Sequence, residues 1–173
     1  MADISLVFPR IHMEADVIAF KKEFFDNGQR TINGSYKLDV DKYSYSAWLK
    51  IITDNLHKED ADPKYGTSQT FLAINEEKKI VGVINFRHTL TEFYKDSGHI
   101  GYSVRPTERN KGYATEMLKQ LLTIAKAQGL SNVLLVCKTD NIASIKVITK
   151  NGGEITRTFS KDNINYIEYR IDL

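Results

Sequence analysis

The chain of 173 residues contains one cysteine, Cys137, so it cannot form an internal disulfide. A reducing compartment is therefore expected, with the cytoplasm as the default. Three prolines and no tract rich in Pro, Ser or Gly leave no candidate linker, and no segment repeats. One domain spanning residues 1–173 is the expectation. No apolar run approaches the roughly 18 residues of a membrane span. The first residues, Met1-Ala2-Asp3-Ile4-Ser5, carry neither the basic flank nor the apolar core of a secretory signal. No membrane partner is expected. Excess charge is missing too: 24 Lys and Arg stand against 22 Asp and Glu, a net charge of +2. That balance argues against nucleic acid as the main partner. No metal is expected.

What is present is a mixed α/β pattern. Residues 3–8 form a short apolar run stopped by Pro9, which suits a strand. Val17, Phe20 and Phe24 fall at helical spacing within 11–26, before Gly28. Trp48, Leu49, Ile52 and Leu56 mark a second helix over 43–57, and its aromatic neighbours Tyr43 and Tyr45 could wall a cleft or fill the core. A charged loop follows over 58–68. Thr70–Ile74 and Ile80–Phe86 flank a polar turn, as in a hairpin. A third strand-like run, His99–Val104, ends at Pro106, which has no N–H for a ladder. Ala114, Met117, Leu118, Leu121, Leu122 and Ala125 then describe the cleanest amphipathic helix of the chain, closed by Gly129. Val133–Val136 reads as a buried strand of the kind found at the centre of a parallel crossover unit. A helix capped by Asp140 or Asn141 runs to about Thr149 and ends at Asn151-Gly152-Gly153. Runs near 154–160 and 164–172 close the chain as a hairpin.

The segment with chemical content is Val104-Arg105-Pro106-Thr107-Glu108-Arg109-Asn110-Lys111-Gly112-Tyr113-Ala114. A strand ends, a short turn follows, and a helix begins with small residues. The first turn of a helix has unpaired N–H groups and a partial positive charge, which suit phosphate oxygens. Gly112 and Ala114 present little bulk there, and Arg109 and Lys111 add charge at the mouth. Taken alone, a glycine near a helix start is more often part of a plain strand–turn–helix. No Gly-Lys-Ser/Thr follows, which excludes a Walker-type loop, and the G-x-G-x-x-G dinucleotide fingerprint is absent. The expected ligand carries phosphates but is neither ATP nor NAD.

Arg109-Asn110-Lys111-Gly112-Tyr113-Ala114 resembles the Arg/Gln-x-x-Gly-x-Gly/Ala signature of the GNAT superfamily of acetyl-CoA-dependent N-acetyltransferases. The strand before it, the long helix after it, the strand through Cys137 and the Asn141-Ile142-Ala143-Ser144 helix start agree in order over residues 4–172. The run from Arg87-His88 through Gly98–Pro106 resembles a group of bacterial predicted acetyltransferases of unknown substrate. The resemblance implies a three-layer α/β fold with a central mixed sheet of six to seven strands flanked by helices. It implies acetyl-CoA as co-substrate and direct attack by an amine acceptor, with no covalent enzyme intermediate. Pantetheine would lie between splayed strands ending at Val104 and Cys137. Backbone groups of Tyr102, Ser103 and Val104 would hold it and polarise the thioester carbonyl. Arg109, Asn110, Lys111, Gly112, Tyr113 and Ala114 would take the pyrophosphate, with Asn141 and Ser144 beside the sulfur.

The chain departs from the family in one place. Ile148 stands seven residues after Asn141, where many members have a tyrosine that protonates the departing thiolate. Ser144 is the substitute this sequence offers, alongside the plain reading of Asn141 as a cap. A general base is not fixed: His99, His88 and Glu92 are near in sequence. His99 titrates in the right range and is the catalytic candidate, weighed against a purely structural histidine. Cys137 reads as packing. The alternative function is a non-catalytic acyl-CoA-binding module, which the missing tyrosine favours. The acceptor's identity and the choice between monomer and homodimer stay open.

Overall fold

Apolar alternation in the first half builds an antiparallel meander. In the computed structural model, which describes residues 2–173 and so leaves Met1 outside, β1 (Ile4–Val7), β2 (Ser68–Asn75), β3 (Ile80–Arg87) and β4 (Ile100–Val104) lie in the order β1-β2-β3-β4. Every pairing is antiparallel. Strand β3 is buried from Ile80 to Phe86 because helices cover both its faces. On one face, a 3-10 turn at Ile11–Met13 leads into α1 (Glu14–Asp26), and α2 (Tyr45–Asp54) follows an 18-residue connection over 27–44. Val17, Phe20, Phe24, Trp48 and Ile52 pack there against Leu72, Ile80 and Val83. The Trp48 indole donates to the carbonyls of Ser35 and Tyr36 at 2.9 and 3.0 Å, and Tyr45 donates to that of Arg10 at 2.6 Å. These aromatics are core, with their polar atoms satisfied.

On the other face, α3 (Tyr113–Ala127) buries Met117, Leu118, Leu121 and Ala125. Gly129 stops it at φ +90°, a conformation that favours glycine. Then come β5 (Asn132–Lys138), α4 (Ile142–Lys150), β6 (Glu154–Lys161) and β7 (Ile164–Asp172). The layers are helices, strands and helices, with seven strands among the described residues, in line with the sequence reading. The strand layer is divided, however, into a four-stranded and a three-stranded sheet, the latter ordered β5-β7-β6. Strand β5, expected at the centre of a parallel crossover, instead pairs antiparallel with β7 along its whole length.

The physical reason lies at the one place where β4 and β5 meet. Gly98 bridges to Leu135. The His99 N–H donates to the Leu134 carbonyl at 2.7 Å, and the Leu134 N–H donates to His99 Nδ1 at 3.0 Å. Gly98 sits at φ +73°, and a Cβ there would lie 2.6 Å from the Leu134 oxygen, so glycine is required for the approach. A side chain has taken the hydrogen bond that would have continued the ladder. Beyond this pin the strands diverge, and Pro106 ends β4 after the Arg105 N–H has made a last bond to Val81 at 2.8 Å. Among the described residues no helix is long and apolar enough to cross a membrane, and no group of three His, Cys, Asp or Glu side chains is placed to hold a metal ion.

Candidate active site

The divergence opens a cleft of about 1080 Å³. Small-molecule sites run to roughly 300–1,000 Å³, so this one suits a ligand of cofactor size. It is lined by Tyr102, Ser103 and Val104 of β4, by Arg109, Asn110, Gly112, Tyr113 and Ala114, and by Asn141 and Ser144. Two expected residues do not line it, Lys111 and His99.

The register of β4 determines what it presents. Antiparallel pairing alternates hydrogen-bonded and open residue pairs. Arg105 bonds to Val81, and Ser103 and Gly101 stand opposite Val83 and Asn85. Gly101, Ser103 and Arg105 therefore direct their backbone groups to β3, while those of Tyr102 and Val104 face the cleft. Side chains alternate as well. Ser103 turns to the segment before α2 and donates to the Asn33 carbonyl at 2.8 Å, and Tyr102 turns to α4.

At the helix end, Asn110 and Gly112 both adopt left-handed conformations, at φ +63° and +84°. Among the described residues, no N–H from Asn110 to Thr115 donates to a protein acceptor. A Cβ on Gly112 would meet only the Ala2 side chain at 3.9 Å, so the space before these donors is open. The turn is held from behind. Arg105, buried, donates to Glu23 at 2.7 Å and to the Ile80 carbonyl at 2.9 Å. Glu23 also accepts from the Thr107 N–H and hydroxyl at 2.9 and 2.8 Å. Burial pushes the Glu23 carboxyl up, but the bonds from Thr107 and Arg105 outweigh it and the net direction is down.

The two cations read as phosphate partners have other engagements. Arg109 donates to Gln29 at 2.6 Å and to the Val104 carbonyl at 3.2 Å, tying the turn to the end of α1. Lys111 pairs with the Glu108 carboxylate at 2.7 Å, and Lys79 pairs with its other oxygen at 2.5 Å. Hydrogen bonds from Lys111 and then Lys79 hold that carboxyl below its ordinary range. Sequence reasoning missed Lys146 and Lys150, which line the cleft from α4 and make no ion pair among the described residues. Their spacing of four, one turn past Asn141, was the available signal.

At the start of α4, Asn141 is the N-cap, accepting the Ser144 N–H at 3.1 Å. The Ser144 hydroxyl is not used in capping. It lies 2.7 Å from the Tyr102 hydroxyl, across the floor of the cleft. Burial pushes the Tyr102 phenol up to about 12. Cys137 is buried beside them, and its thiol is likewise raised by burial. The His99 ring has its Nδ1 lone pair occupied by Leu134, so its proton resides on Nε2. Burial, then the Arg87 charge, push the His99 pKa down.

With this geometry in place, comparison with known proteins is informative. A family model described as "Acetyltransferase (GNAT) domain" matches residues 12–154. No curated protein sequence matches the chain significantly. Among solved structures, the microcin C7 self-immunity acetyltransferase MccE, in complex with acetyl-CoA and AMP, has a TM-score of 0.69 at 15% identity, with 99% of this chain and 93% of that one covered. YncA from Salmonella typhimurium, with its cofactor acetyl-CoA, gives 0.64 at 15% identity over 98% and 94%. A GNAT-family acetyltransferase from Bacillus anthracis gives 0.63 at 20% identity over 99% and 96%. At such identities these likenesses speak for the fold. The family match, which covers most of the chain, speaks for more: the chain belongs to the GNAT family of acetyl-CoA-dependent N-acetyltransferases.

Proposed function

We propose that this protein transfers the acetyl group of acetyl-CoA directly to an amine within the β4–β5 cleft. The observation that carries the proposal is the pairing of free helix-end N–H groups at Asn110–Thr115 with a hydroxyl pair, Tyr102 and Ser144, in one continuous cleft. The pyrophosphate lies against the N–H groups before α3, where Gly112 leaves room, and Lys146 and Lys150 supply the charge that Lys111 does not. Pantetheine then replaces the missing ladder along β4.

The amine nitrogen attacks the thioester carbon, and the carbonyl oxygen takes negative charge next to the cleft-facing N–H groups of Tyr102 and Val104. The carbon–sulfur bond breaks, and the thiolate leaves toward Tyr102 and Ser144. A phenol held at about 12 keeps its proton against a thiol of ordinary pKa near 8.5. The pair therefore stabilises the thiolate by hydrogen bonding, and the thiolate's proton comes from solvent. Because Leu134 occupies the lone pair of His99, that ring acts in positioning rather than as the base. The amine enters as its free base and loses its second proton to water. The rate should then rise with pH along the acceptor's own ionisation.

The test combines cofactor binding with turnover. Acetyl-CoA at a hundredfold excess over its Kd adds about 2.7 kcal/mol of stability if it binds only the folded state. For a chain of this length that is a rise of roughly 5–10 °C in Tm. Gly112→Glu places a side chain and a negative charge before the N–H groups and should abolish the shift with the fold intact. An unchanged shift in the variant would move the phosphates elsewhere. Acetyl-CoA binding without thiol release for any amine would favour a non-catalytic acyl-CoA-binding module.

A further inference from the structure

Arg87 closes β3 and lines the cleft. It pairs with no carboxylate among the described residues. Its N–H groups are only partly used: one terminal nitrogen donates to the Gly98 carbonyl at 2.8 Å, and Nε is buried with no partner. The Tyr94 ring stacks on the guanidinium, 4.1 Å from its carbon, and removes water from that face. Burial pushes its pKa down, and the phenols that partly offset this, Tyr94 by a hydrogen bond and Tyr36 nearby, are uncharged near neutral pH. Asp96 also lines the cleft, but its carboxylate is taken by Arg157 at 3.0 Å, with Lys161 at 3.9 Å.

The position of this cation is informative. The remaining terminal nitrogen of Arg87 would lie 3.9 Å from a Cβ on Gly101. Strand alternation puts Gly101 and Tyr102 on opposite faces of β4. Tyr102 faces α4 and the thiolate site, so Arg87 stands on the other face, one residue away. On the acetyl-transfer reading, with the thiolate leaving toward Tyr102, the amine adds to the thioester carbonyl from that other face. Gly34 packs there at φ +78°, where a Cβ would sit 2.2 Å from the Gly101 oxygen, so the wall beside Arg87 is built to close tolerance. Holding Gly98 accounts for one donor of Arg87. With the Tyr94 phenol as a further neutral partner, it still does not account for a desolvated cation that has no carboxylate and whose buried Nε lacks an acceptor, an arrangement that costs stability unless a ligand completes it.

We propose that Arg87 is a specificity residue that binds a carboxylate of the acceptor, so that the amine acetylated belongs to a molecule carrying a carboxylate close to it. This rests on the acetyl-transfer reading above and narrows its substrate class. A guanidinium matches a carboxylate in bidentate geometry. The carboxylate can come from a free amino acid or from an acidic first residue of a peptide.

The test measures thiol release from acetyl-CoA with α-amino acids, their methyl esters, simple monoamines, and peptides with acidic or neutral first residues. In wild type, kcat/KM for carboxylate acceptors should exceed that for the matching neutral ones by about 10–100-fold, the usual scale for a charge-assisted hydrogen bond. This holds although an ester lowers the amine's pKa and would favour attack. Arg87→Met should remove the preference, chiefly through KM, with acetyl-CoA affinity retained, and Arg87→Lys should keep part of it. The free acids and the peptides distinguish the two sources. Equal turnover of acids and esters by wild type, which needs no variant, overturns the inference and leaves acetyl transfer standing. An Arg87→Met loss shared equally by acids and esters also overturns it. No thiol release with any acceptor overturns both readings.

Discussion

Replacing Ser144 with alanine removes a hydroxyl and leaves a helix cap in place, because Asn141 caps α4 through the Ser144 N–H. The substitution therefore separates chemistry from folding. Ser144→Ala should lower kcat about 10–100-fold, the scale of one hydrogen bond to a charged atom, since the thiolate's proton comes from solvent. It should cost about 1 kcal/mol of stability for the lost bond to Tyr102. Tyr102→Phe tests the other half of the pair. If the phenol donates to sulfur and Ser144 orients it, the Tyr102 variant has the lower kcat. Rates within twofold of wild type for both variants would leave the thiolate to solvent alone. The absence of a tyrosine at Ile148 was readable from the sequence, and so was Ser144 as a substitute. That Tyr102 stands against Ser144 was not readable, because 42 residues separate them and only the closure of the cleft brings them together. The engagement of Lys111 with Glu108 was hidden for a different reason: a charge in a motif says nothing of the partner waiting three residues away.

Among the elements, the pin between β4 and β5 carries a pH dependence. His99 and His88 both have pKa values lowered by burial, so the folded state disfavours their charged forms. The unfolded chain binds protons more readily below about pH 6.5. Stability is then full above that pH and is lost as pH falls toward the folded values. Glu23 and Glu108 are also lowered, but their loss begins further down, in the carboxylate range. Thermal melts should thus show a lower Tm at pH 5.5 than at pH 7.5. His99→Gln keeps an acceptor for the Leu134 N–H that does not titrate, so the slope between those values should flatten. An unchanged slope would assign the effect to other groups. The strands and helices themselves were largely legible, since apolar spacing placed α3 and the β2–β3 hairpin close to their observed bounds. The partner of β5 was not, because a buried apolar run fits a parallel or an antiparallel neighbour equally, and the choice is made by β7, more than 25 residues later.

In the whole molecule, a four-stranded and a three-stranded sheet share one hydrophobic core but bond strand to strand only at a short bridge, and the binding space is what remains where the sheets fail to merge. A backbone edge without a neighbour is a template for any chain that can extend along it. The inner rims of this protein, the edge of β4 past Ile100 and that of β5 past Leu135, are such templates, and in the proposal above acetyl-CoA is their cover. Amide hydrogen exchange at Tyr102 and Val104 should slow when acetyl-CoA is added, while amides in the middle of β3 hold steady. In the absence of cofactor the same rims invite a second copy of the chain, so purification with CoA present should reduce self-association.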